Sequence, residues 1–203
     1  MKKSLLTMLV IAGLTTGCAS TSDTSTVSYD DLKAQGNSLF ADSVKGAYSP
    51  SKVQELEIGR AIVNTAFLTA KPLYEGYIAQ IQNEPTVNSY FSAVEAVESE
   101  EEKKAIYDAL SEPQKKIIDD FNNSEMTKTV MMELGKAVLT ATQSLAKFKA
   151  IDTTSLIASV DFADMMSEKS KLGLTLDQVV YLNDSVISAY DNYQIISAFR
   201  NAQ

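Results

Sequence analysis

The sequence contains no histidine, and its 203 residues include a single cysteine, Cys18. These shortages exclude histidine-based catalytic triads, the cysteine–histidine nucleophile pair, ordinary zinc sites and di-iron bundles of the Glu-x-x-His type. Carboxylates, lysines, serines and tyrosines remain, but no motif arranges them for catalysis. We therefore predict that the chain is not an enzyme and has no catalytic residues, no metal site and no cofactor.

The first 18 residues have the pattern of an export signal. Lys2 and Lys3 give a basic start, the stretch Leu5–Leu14 is almost entirely apolar, and small residues precede Cys18. The apolar stretch has ten residues, whereas a helix that spans a bilayer needs about 20. This segment is therefore expected to be cleaved rather than kept as a membrane span.

The end of this segment, from Leu14 to Cys18, resembles the lipobox of bacterial lipoproteins. Gly17 matches the position before the cysteine and Cys18 matches the lipid acceptor, whereas Thr15 stands where that family prefers leucine. The resemblance covers the export segment alone. It implies that residues 1–17 are removed as a signal peptide and that Cys18 is lipidated, which leaves no cysteine for a disulfide.

The residues that follow are predicted to tether a domain to the membrane. Residues 18–28 comprise the lipidated cysteine and a polar, Ser/Thr-rich segment with a reach of roughly 17 Å. In the lipoprotein family, lack of an aspartate directly after the cysteine is associated with delivery to the outer membrane. Ala19 and Ser20 fit that route, so the resemblance implies a periplasm-facing protein anchored in the outer membrane.

Acidic residues outnumber basic ones. Removal of the signal takes Lys2 and Lys3 from the 18 basic residues and none of the 26 acidic residues, which leaves a net charge of −10. Such a surface repels phosphate backbones and anionic headgroups. We therefore expect no nucleic-acid partner. We expect the protein to be attached to the membrane through acyl chains on Cys18, and its binding partner to be another envelope protein.

The chain after the tether carries repeated helix-start signals. A hydroxyl residue is followed three positions later by an acid or an amide, which is the spacing of a capping box. The hydroxyl positions are Ser28, Ser51, Ser99, Ser111 and Thr175, and Ser124 is a further candidate cap. Because no alternating strand pattern accompanies them, they predict a single all-α bundle of about six to eight helices over residues 29–203, with its core at about residues 51–203.

Two residues are expected to interrupt helices. Pro72 lacks a backbone donor and should kink or stop the helix that begins near Ser51. Gly173 should end the helix that begins near Asp152, so that Thr175 starts the last one.

Two helices carry the main apolar patterns. The central core helix is predicted between Ser124 and Ala150, with Met131, Leu134, Val138, Ala141, Leu145 and Phe148 inward. The last helix, from about Leu176 to Arg200, is expected to turn Val179, Val180, Val186, Ile187, Tyr190 and Ile195 inward. Asn183 interrupts that side, and we interpret it as a register device.

A faint repeat relates residues 57–71 to residues 133–147. Glu57-Ile58-Gly59-Arg60-Ala61 resembles Glu133-Leu134-Gly135-Lys136-Ala137. Alanine-rich amphipathic helices resemble one another without common ancestry, and we favour that interpretation over a true repeat.

Acidic residues on the last two helices are the candidate partner-binding residues. One stripe, with intervals of seven, contains Asp177, Asp184 and Asp191, and a shorter one contains Asp161, Asp164 and Glu168. A solvated helix face gives the same spacing as a surface for a basic partner, and we favour the solvated face. If a partner surface exists, these stripes are the first place to look.

Aromatic residues suggest a candidate ligand pocket between helices. The pairs are Tyr90 with Phe91 and Tyr190 with Tyr193. Aromatics at helical spacing are more often plain core, because rings fill volume, and we favour that interpretation here.

Together, these features predict a lipid-anchored accessory or interaction protein of the cell envelope that acts by binding rather than by catalysis. One alternative is a helical-bundle module that binds an apolar small ligand. Another is an immunity-like inhibitor whose acidic faces neutralise a basic toxin.

Overall fold

A computed structural model describes residues 28–150, residue 157 and residues 160–200. These residues form seven helices and no strand, which confirms the predicted all-α bundle. The helices are α1 (Tyr29–Ser43), α2 (Gln54–Asn83), α3 (Pro85–Glu95), α4 (Glu100–Asp108), α5 (Glu112–Asn123), α6 (Glu125–Ala150) and α7 (Phe162–Arg200). The predicted helix start at Asp152, the export segment and Cys18 lie outside the described residues.

Four of the predicted helix starts are confirmed by capping contacts. Ser28, Ser99 and Ser124 each accept a hydrogen bond at Oγ from the backbone N–H three residues later, at 3.2, 3.2 and 3.1 Å. At Ser111 the N–H donates to Oε1 of Gln114 at 3.0 Å. These contacts satisfy backbone groups that the first helical turn leaves open.

A helix begins near Ser51, as predicted, but the capping box predicted at Ser51 is wrong. Helix α2 begins at Gln54 after Val53, which provides no side-chain cap. The hydroxyl of Ser51 instead donates to the carboxylate of Glu168 on α7. A long-range contact to a buried carboxylate has therefore replaced the local capping box.

The helix ends that were expected at Pro72 and Gly173 are not found. Helix α2 includes Pro72, and α7 continues through Gly173. Pro72 itself is exposed, whereas Lys71 and Tyr74 beside it are buried. Packing along α2 therefore offsets the roughly 3 kcal/mol by which a proline destabilises a helix interior. The hydroxyl of Thr175 donates to the carbonyl of Lys171 at 3.1 Å, so it lies inside a helix rather than at a start.

Helices α2 and α7 run parallel, side by side. Arg60 contacts Thr175, Asn64 contacts Gln178 and Tyr74 contacts Ser188, with sequence separations of 115, 114 and 114 residues. Helix α1 runs antiparallel to both, because its start lies at Asn192 and its end at Gln178. The core includes α1 through Leu32 and Leu39.

Helix α6 packs against both α2 and α7 and runs antiparallel to α2. Phe121, just before α6, contacts Tyr77 near the end of α2, with ring centroids 5.7 Å apart. The predicted apolar seam is largely confirmed, since Leu134, Ala141 and Leu145 are buried. Met131 and Val138 are partly buried, and the side chain of Phe148 lies outside the described part.

A glycine allows α1 to approach α7 closely. A Cβ at Gly36 would lie 2.8 Å from Cε2 of Tyr181, which is closer than atoms pack. The glycine therefore accommodates the Tyr181 ring, which is fully buried.

The faint repeat pairs residues in different environments. Arg60 is buried, whereas the matching Lys136 is largely exposed. Gly59 is buried and Gly135 is exposed. This difference favours chance resemblance of two amphipathic helices over a duplicated unit.

Candidate functional site

The inner side of α7 carries buried polar residues among its buried apolar ones. Gln178 donates from Nε2 to Ser43 Oγ at 2.8 Å and to Asn64 Oδ1 at 2.7 Å, and Asn64 Nδ2 donates to the carbonyl of Ser43 at 3.0 Å. Gln178, Ser185 and Asn192 are all buried and recur every seven residues, so they form an inner polar row. Each amide in this network has partners on α1 or α2, which offsets its loss of water.

Tyrosines continue this network toward the end of α7. Tyr74 and Ser188 are joined through their hydroxyls at 3.0 Å, and Asn192 Nδ2 donates to the hydroxyl of Tyr29 at 2.6 Å. Burial raises the pKa of Tyr29, Tyr74 and Tyr77 well above the ordinary value of 10.0. These hydroxyls remain protonated near neutral pH and act as hydrogen-bonding groups.

An ion cluster of Glu57, Arg60, Glu168 and Lys171 joins the starting halves of α2 and α7. Arg60 is 2% exposed, and its guanidinium donates to Glu57 at 3.0 Å and to the carbonyl of Lys171 at 3.1 Å. Glu168 accepts from Lys171 Nζ at 2.8 Å. The two cations and two carboxylates balance in charge, which is how buried charges are tolerated.

The predicted acidic residue Glu168 lies inside this cluster and not on a solvated face. Burial by itself would raise the pKa of this carboxyl, but hydrogen bonds from Lys171, Ser51 and the N–H of Lys52 lower it overall. Asp164 pairs with Lys52 at 2.7 Å, and Asp161 is exposed. The shorter predicted stripe is therefore divided between an internal cluster and the surface.

The longer predicted stripe lies along one side of α7 and forms an acidic stripe of Asp177, Asp184 and Asp191. Asp177 is exposed, whereas Asp184 and Asp191 are half-buried. Burial raises the pKa of Asp184, with a hydrogen bond from Asn183 opposing it. Burial also raises the pKa of Asp191, with Lys103 opposing the rise and Glu100 adding to it.

The side of α7 that faces away from the inner polar row is apolar and exposed. Of the residues predicted to point inward, Val180, Ile187 and Tyr190 are 49%, 45% and 37% exposed, so that prediction is wrong for these three. Val179 is buried, Val186 is partly buried, and the side chain of Ile195 lies outside the described part. The exposed residues form an outer stripe of Phe162, Met166, Leu176, Val180, Ile187 and Tyr190.

The sequence contained a signal for this orientation. The inner polar row has the same interval of seven as the acidic stripe, shifted by one residue. An amphipathic interpretation places apolar residues inward by default, so it wrongly assigned Val180, Ile187 and Tyr190 to the inside. The polar partners on α1 and α2 decide which side of α7 is buried, and their positions cannot be inferred from α7 alone.

The predicted aromatic residues do not all lie in one environment. Tyr90 and Phe91 are buried in an aromatic end of the bundle, formed by Tyr77, Tyr90, Phe91, Tyr107 and Phe121, with ring centroids 5.4 to 6.3 Å apart. Tyr190 belongs to the exposed outer stripe, and Tyr193 is half-buried. Tyr90 and Phe91 thus serve as core.

A recess lies elsewhere, between α1 and α2. It has a volume of about 290 Å³ and is lined by Tyr29, Lys33, Asn37, Tyr74, Glu75, Ile78, Ala79 and Gln82. Its apolar floor and polar rim suit a small amphipathic molecule.

None of the helices in the described ranges combines the length and the hydropathy of a membrane span. Within the same residues, no three histidine, cysteine or carboxylate side chains lie close enough to hold a metal ion.

No protein-family model, curated protein or solved structure matches this chain. The assignment of function therefore depends on the chemistry of its own residues.

Proposed function

We propose that this chain is a lipid-anchored accessory protein of the bacterial cell envelope that acts by binding a protein partner. The observation that carries the proposal is the export segment, which ends in the only cysteine of the chain at the position of the lipid acceptor, Cys18. In this role residues 18–28 tether the bundle to the outer membrane, with the bundle in the periplasm.

The two sides of α7 support binding as the activity. Polar side chains of this helix such as Gln178 and Asn192 are buried inside the bundle, whereas the six apolar side chains of the outer stripe are exposed beside the acidic stripe. Contiguous exposed apolar surface is typical of protein–protein contact sites. The bundle would present this surface while the lipid holds it at the membrane.

Metabolic labelling tests the anchor. Cells that express the full chain are fed an alkyne-bearing fatty acid, and the label is read on the purified protein together with its intact mass. We expect the label and the added acyl mass in the wild type and in the control Ser20→Ala, and loss of both in Cys18→Ser. An unlabelled wild type, or label that persists in Cys18→Ser, would contradict the proposal.

Membrane fractionation tests the location. We expect the wild type in the outer-membrane fraction and Ala19→Asp in the inner-membrane fraction, because aspartate after the lipidated cysteine is the retention signal that the lipoprotein resemblance implies. A wild type that is found in the inner-membrane fraction would contradict outer-membrane delivery.

The second candidate is a binding module for an apolar or amphipathic small molecule. The observation that favours it is the recess between α1 and α2, rather than the Tyr90 and Tyr190 regions. A native mass spectrum of the gently purified protein should then show an added small-molecule mass, which Ala79→Phe removes by filling the recess. A bare monomer would exclude a tightly retained ligand.

A further inference from the structure

The outer stripe follows a coiled-coil spacing. From Phe162 to Gln194 the residues on this side of α7 are separated by four and three positions in strict alternation, the spacing of the a and d positions of a heptad. The six apolar members are Phe162, Met166, Leu176, Val180, Ile187 and Tyr190, and the other four positions are Lys169, Gly173, Asn183 and Gln194. The row extends for roughly 48 Å at 1.5 Å per residue.

This spacing is not used inside the bundle. Phe162 and Met166 are 86% and 72% exposed, and Val180 and Ile187 are about half exposed. The opposite side of the same helix, the inner polar row, makes the contacts with α1 and α2. A heptad seam normally packs against another helix, so its partner helix must come from outside the described bundle.

Gly173 supports a close helix contact on this side. It lies in the middle of α7, where glycine weakens a helix. A Cβ built there would meet nothing within 4 Å beyond its chain neighbours and its own helix backbone, as at Gly76 and Gly135, so packing within the described bundle does not require a glycine. A partner helix that passes close to this point would require one.

Charge on the two flanks of the outer stripe is uneven. The acidic stripe occupies the e positions of the heptad on one flank, whereas Leu172, Val179 and Val186 occupy the g positions on the other. Within the described part of the chain, Asp184 has no cation against it, and its hydrogen bond comes from Asn183 at 3.4 Å. A half-buried carboxylate in this state would be stabilised by a cation from a partner.

This uneven distribution of charge argues against a second copy of this chain as the partner that covers the outer stripe. In an antiparallel pair of α7 helices the two acidic stripes would face each other and repel. In a parallel pair they would face the apolar g positions, which leaves the carboxylates without partners. A helix with lysines or arginines beside its apolar residues would complement both the apolar and the acidic parts.

We propose that the outer stripe of α7 docks an amphipathic helix of a partner protein that carries lysines or arginines along one flank. This rests on the proposed binding function and names its surface and the chemistry of its partner. Asn183 then sets the register of the two helices, since a polar residue at a core heptad position fixes alignment.

Binding of a designed peptide tests the proposal. The full chain is expressed in bacteria and purified in neutral maltoside detergent, and its intact mass records separately whether Cys18 carries lipid. The probe is a fluorescent peptide of about four heptads with leucine at a and d and lysine at e and g, and its twin has glutamate in place of lysine. Fluorescence anisotropy is measured against a detergent blank.

We expect the lysine peptide to bind at least about tenfold more tightly than the glutamate twin. Val180→Glu should weaken this binding by about tenfold or more, whereas Leu139→Glu, at a similarly exposed position on α6, should leave it unchanged. The triple variant Asp177→Lys, Asp184→Lys and Asp191→Lys should invert the preference between the two peptides. Gly173→Leu should weaken binding, while the matched Gly135→Leu on α6 should not.

Three results would overturn the proposal. One is equal binding of the two peptides, and another is equal weakening by Val180→Glu and Leu139→Glu, which would indicate non-specific adsorption. The third is a dimer in sedimentation that Val180→Glu dissociates, which would make a second copy the occupant. If the protein is lipidated but fails these tests, the proposed envelope location stands and only the proposed docking surface is refuted. If the protein is not lipidated but passes them, only the proposed lipid anchor is refuted.

Discussion

The aromatic end of the bundle and the interface between α1, α2 and α7 differ in how many polar groups they bury. At the aromatic end, short helices with conventional caps bury rings such as Phe91 and expose ion pairs such as that of Lys116 with Asp120. At the α1–α2–α7 interface, amides, hydroxyls and the ion cluster are buried beside apolar residues such as Leu182, and six other apolar side chains of α7 are exposed.

This difference shows where a helical sequence can mislead. Burial of apolar area drives the aromatic end, so the apolar pattern there points inward. At the interface, buried amides such as Gln178 and Asn64 are hydrogen-bonded to partners on another helix, and such pairs cannot be inferred from one helix alone. The exposed apolar side of α7 is then available for binding.

The largest expected effect is the loss of the buried guanidinium of Arg60. Arg60→Met leaves the Glu57 carboxylate without its cation, so the free energy of unfolding should fall by about 3–5 kcal/mol in urea titrations. The control Lys116→Met breaks an ion pair that is 73% and 67% exposed, and it should cost about 0–1 kcal/mol. Similar losses in both variants would show that the interface does not depend on its ion cluster.

The next effect concerns Glu168 and depends on pH. Its pKa in the folded protein lies below the ordinary value of 4.5, so its contribution to stability is complete above about pH 4.5 and is lost as the pH falls through the folded pKa. Glu168→Gln should cost about 1.5–3 kcal/mol at neutral pH. The difference from wild type should narrow in acid, as measured by urea titrations at several pH values.

Asp177→Asn is the matched control on the same helix, because Asp177 is exposed. It should leave stability nearly unchanged at neutral pH. A Glu168→Gln deficit that stayed constant down to acid pH would show that packing, and not charge, accounts for the role of Glu168.

A smaller effect is expected at the contact of α1 with α7. Gly36→Ala should lower the free energy of unfolding by about 1–3 kcal/mol, because its Cβ would overlap the Tyr181 ring. Gly76→Ala is the control, since its Cβ would meet nothing within 4 Å, and it should raise stability by about 0.5–1 kcal/mol. A gain in both variants would mean that α1 can move away from Tyr181 at little cost.

The smallest effect is expected beside the aromatic end. Ser99→Ala removes the cap of α4 and should cost about 1 kcal/mol. Thermal unfolding with circular dichroism measures the change, and Ser99→Asp, which retains capping, should restore most of it. A loss as large as that of Arg60→Met would remove the contrast between the two regions.

Prediction from sequence succeeded where structure is decided locally. The caps at Ser99, Ser111 and Ser124 were readable because the groups involved lie within three residues of each other. Prediction failed at Ser51, Gly173 and Val180, because long-range packing overrides local preference. The acidic stripe was found from its spacing, whereas the outer stripe beside it was assigned to the core.

By itself, the sequence determined that the chain is helical, where most helices begin, and that an apolar start of ten residues ends at Cys18. Only the tertiary structure decided that α2 and α7 are continuous and which side of α7 faces inward. The reason is that Gln178 can be buried only where Ser43 and Asn64 meet it, more than 100 residues away along the chain. Such partners exist only once α1, α2 and α7 have packed together.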